Sequence, residues 1–146
     1  RMYRRILREF PDQVPESAAH LKIGFCLVQA SRFEEAIKHF EEANRNPASE
    51  EKPEILYWLG LCYAKTGEYQ KALTEFLKVP YLYSGEGKWG VTAELEAARI
   101  YERRGEYERA KSLYRKIVRS DGETGQFGRA ANKRLKQLSN LVLESP

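Results

Sequence analysis

Two histidines and two cysteines are the side chains of this 146-residue sequence best suited to metal binding or nucleophilic chemistry. His20 and His39 are far apart in the sequence, and neither has a cysteine or serine beside it to form a nucleophile–base pair. Cys26 and Cys62 are 36 residues apart and equally isolated. A structural zinc site needs four clustered ligands. We therefore predict no metal site and no nucleophilic catalysis, and we expect the histidines to be partly buried or on the surface.

Paired carboxylates could serve calcium binding or acid–base catalysis. Glu34-Glu35 and Glu41-Glu42 lie on one predicted helix with Lys38 between them, at the three- or four-residue spacing of weak ion pairs. That arrangement is typical of a solvated helix face, and we interpret it as one.

A glycine-rich phosphate loop is the remaining candidate for chemistry. The segment before Gly87-Lys88 has Leu82 where the first glycine belongs, and Trp89 follows where a serine or threonine hydroxyl belongs. The segment also follows a predicted helix, not a strand. The sequence therefore predicts no catalytic residues, no cofactor and no enzymatic activity.

The composition of the chain indicates which kind of protein it is and which kind of partner it does not bind. The chain has 25 basic and 21 acidic side chains, a net charge of +4 and 42% hydrophobic residues, as expected of helices with polar outer faces. The basic residues are interspersed with acidic ones, which predicts no nucleic-acid partner. No apolar run approaches the roughly 20 residues of a membrane-spanning helix, which predicts a soluble protein. The sequence leaves the choice between cytoplasm and bacterial periplasm open.

An internal repeat organises the chain. A small residue in a first helix is followed twelve residues later by an alanine in a second helix, and three further columns hold mainly aromatic residues. The five columns are Gly24, Gly60 and Ala98; Ala36, Ala72 and Ala110; Phe40, Phe76 and Tyr114; Leu27, Tyr63 and Tyr101; and Phe33, Tyr69 and Tyr107. Small residues let two antiparallel helices approach closely, and a larger side chain there costs about 1–3 kcal/mol. The pattern predicts an all-α fold of stacked antiparallel helix pairs.

The two cysteines fall on this repeat. Cys26 and Cys62 occupy the same slot of adjacent repeats, one that favours a small buried side chain. A disulfide would need Cα atoms within about 7 Å, closer than stacked repeats bring equivalent positions. We predict that both cysteines are reduced and packed in the core.

The pattern places helices and turns along the chain. Helices are predicted near residues 2–10, 16–30, 33–45, 52–65, 69–79, 90–104, 107–119 and 124–142. Gly67 and Gly105 suit the left-handed residue that ends a first helix, whereas Ser31 suits it less, so we expect a less sharply defined turn there. Pro80 is expected to end its helix and to open an irregular connection reaching Gly90. This connection either packs over the seam between repeats or contacts a partner.

We predict a single domain over residues 1–146. Within it, residues 1–11 end a preceding repeat, residues 17–50, 53–88 and 91–122 form three repeats, and residues 124–143 form a C-terminal capping helix. The alternative for the last segment is the first helix of a fourth repeat. Because the chain opens as if inside a repeat, we expect a larger parent protein.

The central repeat carries a recognisable family pattern. Its first helix reads Leu59-Gly60-x-x-Tyr63 and its second reads Ala72-x-x-x-Phe76. With its neighbours, this unit resembles the tetratricopeptide repeat (TPR) superfamily over nearly the whole chain, and is similar to bacterial members. The resemblance implies an α-solenoid wound as a right-handed superhelix. It also implies a non-catalytic scaffold whose concave face, lined by the first helices, binds a peptide or helix of a partner protein.

The resemblance also assigns candidate groove residues. They are Leu21, Phe25, Val28, Tyr57, Leu61, Lys65, Leu95, Arg99 and Arg103, with Glu102 beside them. The groove is apolar at its N-terminal end and charged at its C-terminal end, which favours an amphipathic segment whose acidic residues reach Arg99 and Arg103. Two alternatives stay open: preceding repeats or the chain's own tail cover the apolar end, or the chain is a self-assembly module forming homo-oligomers.

One subset of the family binds the C-terminal carboxylates of chaperones through a clamp of lysine, asparagine and arginine. Leu21 and Phe25 stand where the first clamp pair belongs, Trp58 replaces an asparagine and Leu95 replaces a lysine, so that Arg99 alone matches. The sequence therefore predicts that this chain does not bind chaperone tails.

Overall fold

The computed structural model describes Arg5, Arg8, Glu9, residues 15–83 and residues 88–144, with side chains described as far as Leu141. All regular structure in these residues is helical, which confirms the all-α class. The helices are α1 (Glu16–Gln29), α2 (Phe33–Arg45), a short 3-10 helix (Ser49–Glu51), α3 (Lys52–Lys65), α4 (Tyr69–Leu82), α5 (Trp89–Arg103), α6 (Tyr107–Asp121) and α7 (Gln126–Glu144). Their ends lie within three residues of the predicted ones. The helix predicted near residues 2–10 falls almost wholly outside the described residues.

The chain forms two compact units, Arg1–Glu75 and Phe76–Pro146. Helix α4 crosses the boundary, so its first turns belong to the first unit and its last turns to the second. Each unit has a core of its own. The single domain and the repeat limits expected from the sequence stay predictions.

The first unit packs α1, α2 and α3 around one apolar core. The buried members of this core are Leu21, Ile23, Leu27, Ala36, Phe40, Ala43, Ile55, Leu59 and Cys62. Gly24 lies at the closest approach of α1 and α2: a Cβ atom built on it would stand 2.6 Å from Cε1 of Phe40. The Phe40 ring is fully buried, so the small residue at position 24 is required by the aromatic residue of the facing helix.

One turn joins the two helices of each pair, and the three turns have the same geometry. Ser31, Gly67 and Gly105 all have positive φ, at 58°, 85° and 75°. The residue after each donates its backbone N–H to the carbonyl five residues back at 2.8 Å, in the pairs Arg32–Leu27, Glu68–Tyr63 and Glu106–Tyr101. The less defined turn expected at Ser31 is therefore wrong. The shared hydrogen bonds satisfy the last helix carbonyls and hold serine in the left-handed region.

The second unit packs α5, α6 and α7 together. Its buried core residues are Leu95, Ala98, Ala110, Tyr114, Ile117, Ala131 and Leu138. Helix α7 contributes Ala131 and Leu138 to this core, with Phe127 and Leu135 packed against it. Ala130 and Leu141 of the same helix are exposed.

Pro80 does not end its helix, contrary to the sequence prediction. Helix α4 continues to Leu82, and the backbone N–H of Tyr83 donates to the carbonyl of Val79 at 2.9 Å. A proline removes one backbone donor. So close to the end of a helix the loss is a single bond, and the next turn still closes.

Candidate protein-binding surface

Phe25 of α1 and Tyr57 and Trp58 of α3 form an aromatic cluster on the first unit. The Trp58 ring lies edge-on to Phe25 with a centroid distance of 5.3 Å, and 5.2 Å from the Tyr57 ring at an angle of 67°. On another side it stacks nearly parallel to the buried Phe40 ring, 6.4 Å away. The three cluster rings are half-buried. The cluster therefore rests on the core and keeps ring surface available for a partner.

Trp58 is the member of this cluster that sequence reasoning missed as a binding residue. It was considered only as the replacement of a clamp asparagine. Its indole Nε1–H faces Glu54 Oε1 at 3.4 Å, one turn earlier on α3. The signal that could have found it is the pair of aromatic residues, Phe25 and Tyr57, on the two first helices beside it.

The other predicted groove residues of the first unit differ in exposure. Val28 and Leu61 are half-buried and Lys65 is exposed. Leu21 is 6% exposed and belongs to the core. The structure thus places the accessible apolar surface at Phe25, Val28 and Leu61, beside Tyr57 and Trp58.

In the second unit the predicted residues lie on α5. Leu95 is buried in the core. Arg99 is exposed, and its Nη1 pairs with Glu96 Oε1 at 2.8 Å, one turn earlier. Arg103 is also exposed, and no other described residue forms an ion pair or a hydrogen bond with its side chain. Arg103 is therefore the cation on this helix most available to an acidic ligand.

Glu102, named beside the groove, links three helices of the second unit. Tyr114 of α6 donates its hydroxyl to Glu102 Oε2, and Arg134 of α7 donates from Nε to Glu102 Oε1 at 2.6 Å. Burial and then the bond to Glu102 raise the pKa of Tyr114 well above its usual value. The same carboxylate raises the pKa of the Arg134 guanidinium.

The two histidines meet in the first unit, although they are distant in the sequence. His20 Nδ1 lies 3.0 Å from His39 Nδ1, and the ring centroids are 5.2 Å apart. With neutral rings, one Nδ1–H donates to the bare Nδ1 of the other, which requires complementary tautomers. Glu16 Oε1 stands 3.7 Å from His20 Nε2. Within the described residues no group of three or more histidine, cysteine or acidic side chains could hold a metal ion.

The two cysteines are in different environments. Cys62 is fully buried in the first core, and burial raises the pKa of its thiol to about 12. Cys26 is exposed, so the prediction that both pack in the core is wrong for Cys26. Cys62 on α3 packs against the preceding helix pair, α1 and α2. Cys26 lies on α1, which belongs to the first pair that the structure describes.

None of the described helices combines the length and the apolar character that crossing a lipid bilayer requires.

Comparisons with known proteins bear on the repeats. Two family profiles, both described as tetratricopeptide repeat, match residues 27–86 and residues 92–124. A comparison with curated proteins gives no match. The solved structures that match include the crystal structure of MamA, with a TM-score of 0.69 and 18% identity over 95% of this chain and 79% of that chain. An identity this low establishes the fold alone, an α-solenoid of helix pairs.

The family bears on function at a general level. Tetratricopeptide repeats are typically non-catalytic scaffolds for protein–protein interaction, and the two matches support that general role and protein partners for this chain. On the repeat matches and the helical architecture, the chain belongs to the tetratricopeptide repeat superfamily.

Proposed function

We propose that this scaffold binds an amphipathic peptide or helix of a partner protein along the first helices of its repeats. The observation that carries the proposal is the half-buried aromatic cluster of Phe25, Tyr57 and Trp58. Aromatic rings fixed on a core give large contact area at low cost in side-chain entropy, which is why they dominate binding hot spots. Val28 and Leu61 extend this apolar surface.

The charge on α5 suits the polar side of the same kind of ligand. Arg103 is exposed and free of ion pairs with the described residues, and Arg99 is exposed beside Glu96. A carboxylate of the partner gains a charge-assisted hydrogen bond from Arg103 without breaking an existing one. At Arg99 it must compete with Glu96. We therefore expect Arg103 to contribute more to binding than Arg99.

The test compares variants of each surface against matched controls. Partners captured from a native lysate by the full chain are identified, and their affinities are measured for Tyr57→Ala and Arg103→Glu. Each variant should weaken binding about tenfold or more. The controls are Tyr107→Ala and Arg115→Glu, which should bind as the wild type does. Both residues are exposed on α6, the second helix of its pair. Unchanged affinity of both groove variants, with unchanged helicity, would contradict the proposal.

Self-assembly is the second candidate, and one observation favours it. Leu141 is 52% exposed on α7, so an apolar side chain is available near the end of the array. The matched test is the sedimentation profile of Leu141→Glu, which should abolish a concentration-dependent increase in mass. Leu138 is unsuitable for this test because it is buried, and a charge there would unfold the cap. A wild type that stays monomeric at high concentration would remove this candidate.

A further inference from the structure

The second unit contains an open cavity of about 570 Å³ between the ends of four helices. Pro80 of α4, Val91 of α5 and Phe127 of α7 supply apolar walls, and Glu94 of α5 and Lys116 of α6 also line it. The residues that line the cavity do not include Leu95, Arg99 or Arg103. The cavity is therefore separate from the surface proposed above to bind a partner helix.

Glu94 is the unusual member of this lining. Its side chain is 8% exposed, and Oε2 is buried without a hydrogen-bond partner among the described residues. Lys116 Nζ stands 3.1 Å from Oε2 and supplies opposite charge without hydrogen-bond geometry. The Lys116 side chain is 55% exposed. A buried carboxylate is costly unless it is both paired and hydrogen-bonded. Glu94 Oε2 therefore needs a hydrogen-bond donor that the described residues do not supply.

The repeat pattern shows how the third repeat differs at position 94. Glu94 lies four residues before Ala98, at the position where the first two repeats have His20 and Leu56 and where the repeat pattern has tryptophan. Leu56 is 6% exposed and fills its position with apolar atoms. Glutamate is one heavy atom longer than leucine and carries a charge, so the third repeat has a polar group where the second has apolar atoms.

The charges of the cavity are ordered from mouth to interior. The exposed cations Lys88 and Lys116 lie at the mouth, whereas Glu94 is buried and Asp121 is half-buried. Asp121 Oδ2 accepts the backbone N–H groups of Phe127 and Gly128, each at 2.8 Å, which holds this second carboxylate in place. A ligand that enters therefore meets cations first and carboxylates further in.

We propose that this cavity binds an arginine side chain of a partner protein, flanked in that partner by acidic residues. The guanidinium supplies the hydrogen bonds that Glu94 Oε2 lacks, in the planar geometry that a carboxylate accepts. The methylene stem packs on the wall formed by Pro80, Val91 and Phe127. The flanking acidic residues reach Lys88 and Lys116 at the mouth, and Lys116 turns from Glu94 toward them.

The test titrates the full chain with the capped tripeptide acetyl-Glu-Arg-Glu-amide and follows backbone amide shifts by NMR. Saturable shifts are expected at Val91, Glu94 and Phe127. The matched probe replaces arginine with citrulline, a neutral isostere, and should bind about tenfold more weakly or worse, because the charge-assisted bond is lost. Equal binding of the two probes, or no saturable shift up to the solubility limit, would overturn the proposal.

Substitutions in the cavity test whether Glu94 is the group that binds the arginine. Glu94→Gln keeps the size of the side chain and should lose about tenfold in affinity for the arginine probe. Glu94→Leu, which copies Leu56, should abolish binding and raise the melting temperature.

Two outcomes would contradict the proposal in different ways. Equal affinity of Glu94→Gln and wild type would exclude the carboxylate as the recognition group. Binding of acetyl-Glu-Ala-Glu-amide as tightly as the arginine probe would identify an anion site at the lysines instead. Tyr57→Ala and Arg103→Glu should leave binding of the arginine probe unchanged, so failure of one proposal does not affect the other.

Discussion

At the scale of single residues, Gly24 decides how closely α1 and α2 can pack. Replacing it with alanine places a Cβ atom 2.6 Å from the buried Phe40 ring, a distance that real Cβ contacts essentially never show. Overpacking outweighs the roughly 1 kcal/mol that alanine gains in helix propensity. We expect Gly24→Ala to lower the free energy of unfolding by about 1–2 kcal/mol, measured by urea denaturation with far-UV circular dichroism.

Gly90 provides the control for this substitution. A Cβ atom on Gly90 would lie 3.6 Å from the nearest Pro80 atom, which is ordinary van der Waals contact. Gly90→Ala should therefore be neutral or mildly stabilising. If both variants lost the same stability, the loss would come from helix glycines in general and not from the contact with Phe40.

The surroundings of single polar side chains were the feature hardest to predict from the sequence. Sequence alone could not show that His20 meets His39 or that Glu94 borders a cavity. Both outcomes depend on which side chains the facing helix presents.

At the scale of elements, the turn at Ser31 offers a stabilising substitution. Ser31 has φ 58°, a left-handed conformation that L side chains adopt at a cost of about 1 kcal/mol and that glycine adopts freely. We expect Ser31→Gly to raise the free energy of unfolding by about 0.5–1 kcal/mol, measured by thermal and urea denaturation. The reverse change, Gly67→Ser at φ 85°, should lower it by a similar amount. A destabilised Ser31→Gly would mean that serine is tolerated there for a reason other than the backbone.

The attachment of α7 depends on the Glu102 carboxylate. Glu102→Ala removes the acceptor of both Tyr114 and Arg134 and leaves the buried tyrosine hydroxyl without a partner. We expect a loss of about 1.5–3 kcal/mol in the free energy of unfolding, with hydrogen exchange accelerated in α7.

A double-mutant cycle isolates the ion pair in this network. Arg134→Ala should lose less than Glu102→Ala, because Tyr114 keeps its acceptor. The two losses should not add, since both variants remove the same contact. Strict additivity would show that Arg134 and Glu102 act independently and that the apolar face of α7 alone attaches the helix.

At the scale of the whole molecule, the repeat period carried most of the predictable information. Five columns at spacings of 36 and 38 residues placed seven helices within three residues of their observed ends. This worked because close packing of two helices constrains the residues at their contact, as Gly24 and Phe40 show in the first pair. Pro80 was misjudged because a local rule for ending helices was applied to a position where only one hydrogen bond was at stake.

The same core predicts how the stability of the protein responds to alkaline pH. Burial raises the pKa of the Cys62 thiol from 9.0 to about 12, and burial with the nearby Glu41 carboxylate raises the pKa of Tyr63 from 10.0 to about 12. A group whose pKa is higher in the folded state holds its proton more tightly there. Its contribution to stability is complete below the unfolded value and is lost as the pH rises through the folded value. We therefore expect stability to be level up to about pH 9 and to fall between pH 9 and 12.

Urea denaturation at a series of pH values measures this fall, and the double variant Cys62→Ala with Tyr63→Phe serves as the control. Neither replacement titrates, so the slope of stability against pH should become shallower even though the variant begins from a lower stability. Glu41→Gln should reduce the slope by a smaller amount, since it removes the carboxylate partner of Tyr63 but leaves both groups buried. A slope that the double variant leaves unchanged would place the alkaline sensitivity elsewhere, with Tyr114 as the next group to replace because its pKa is also raised.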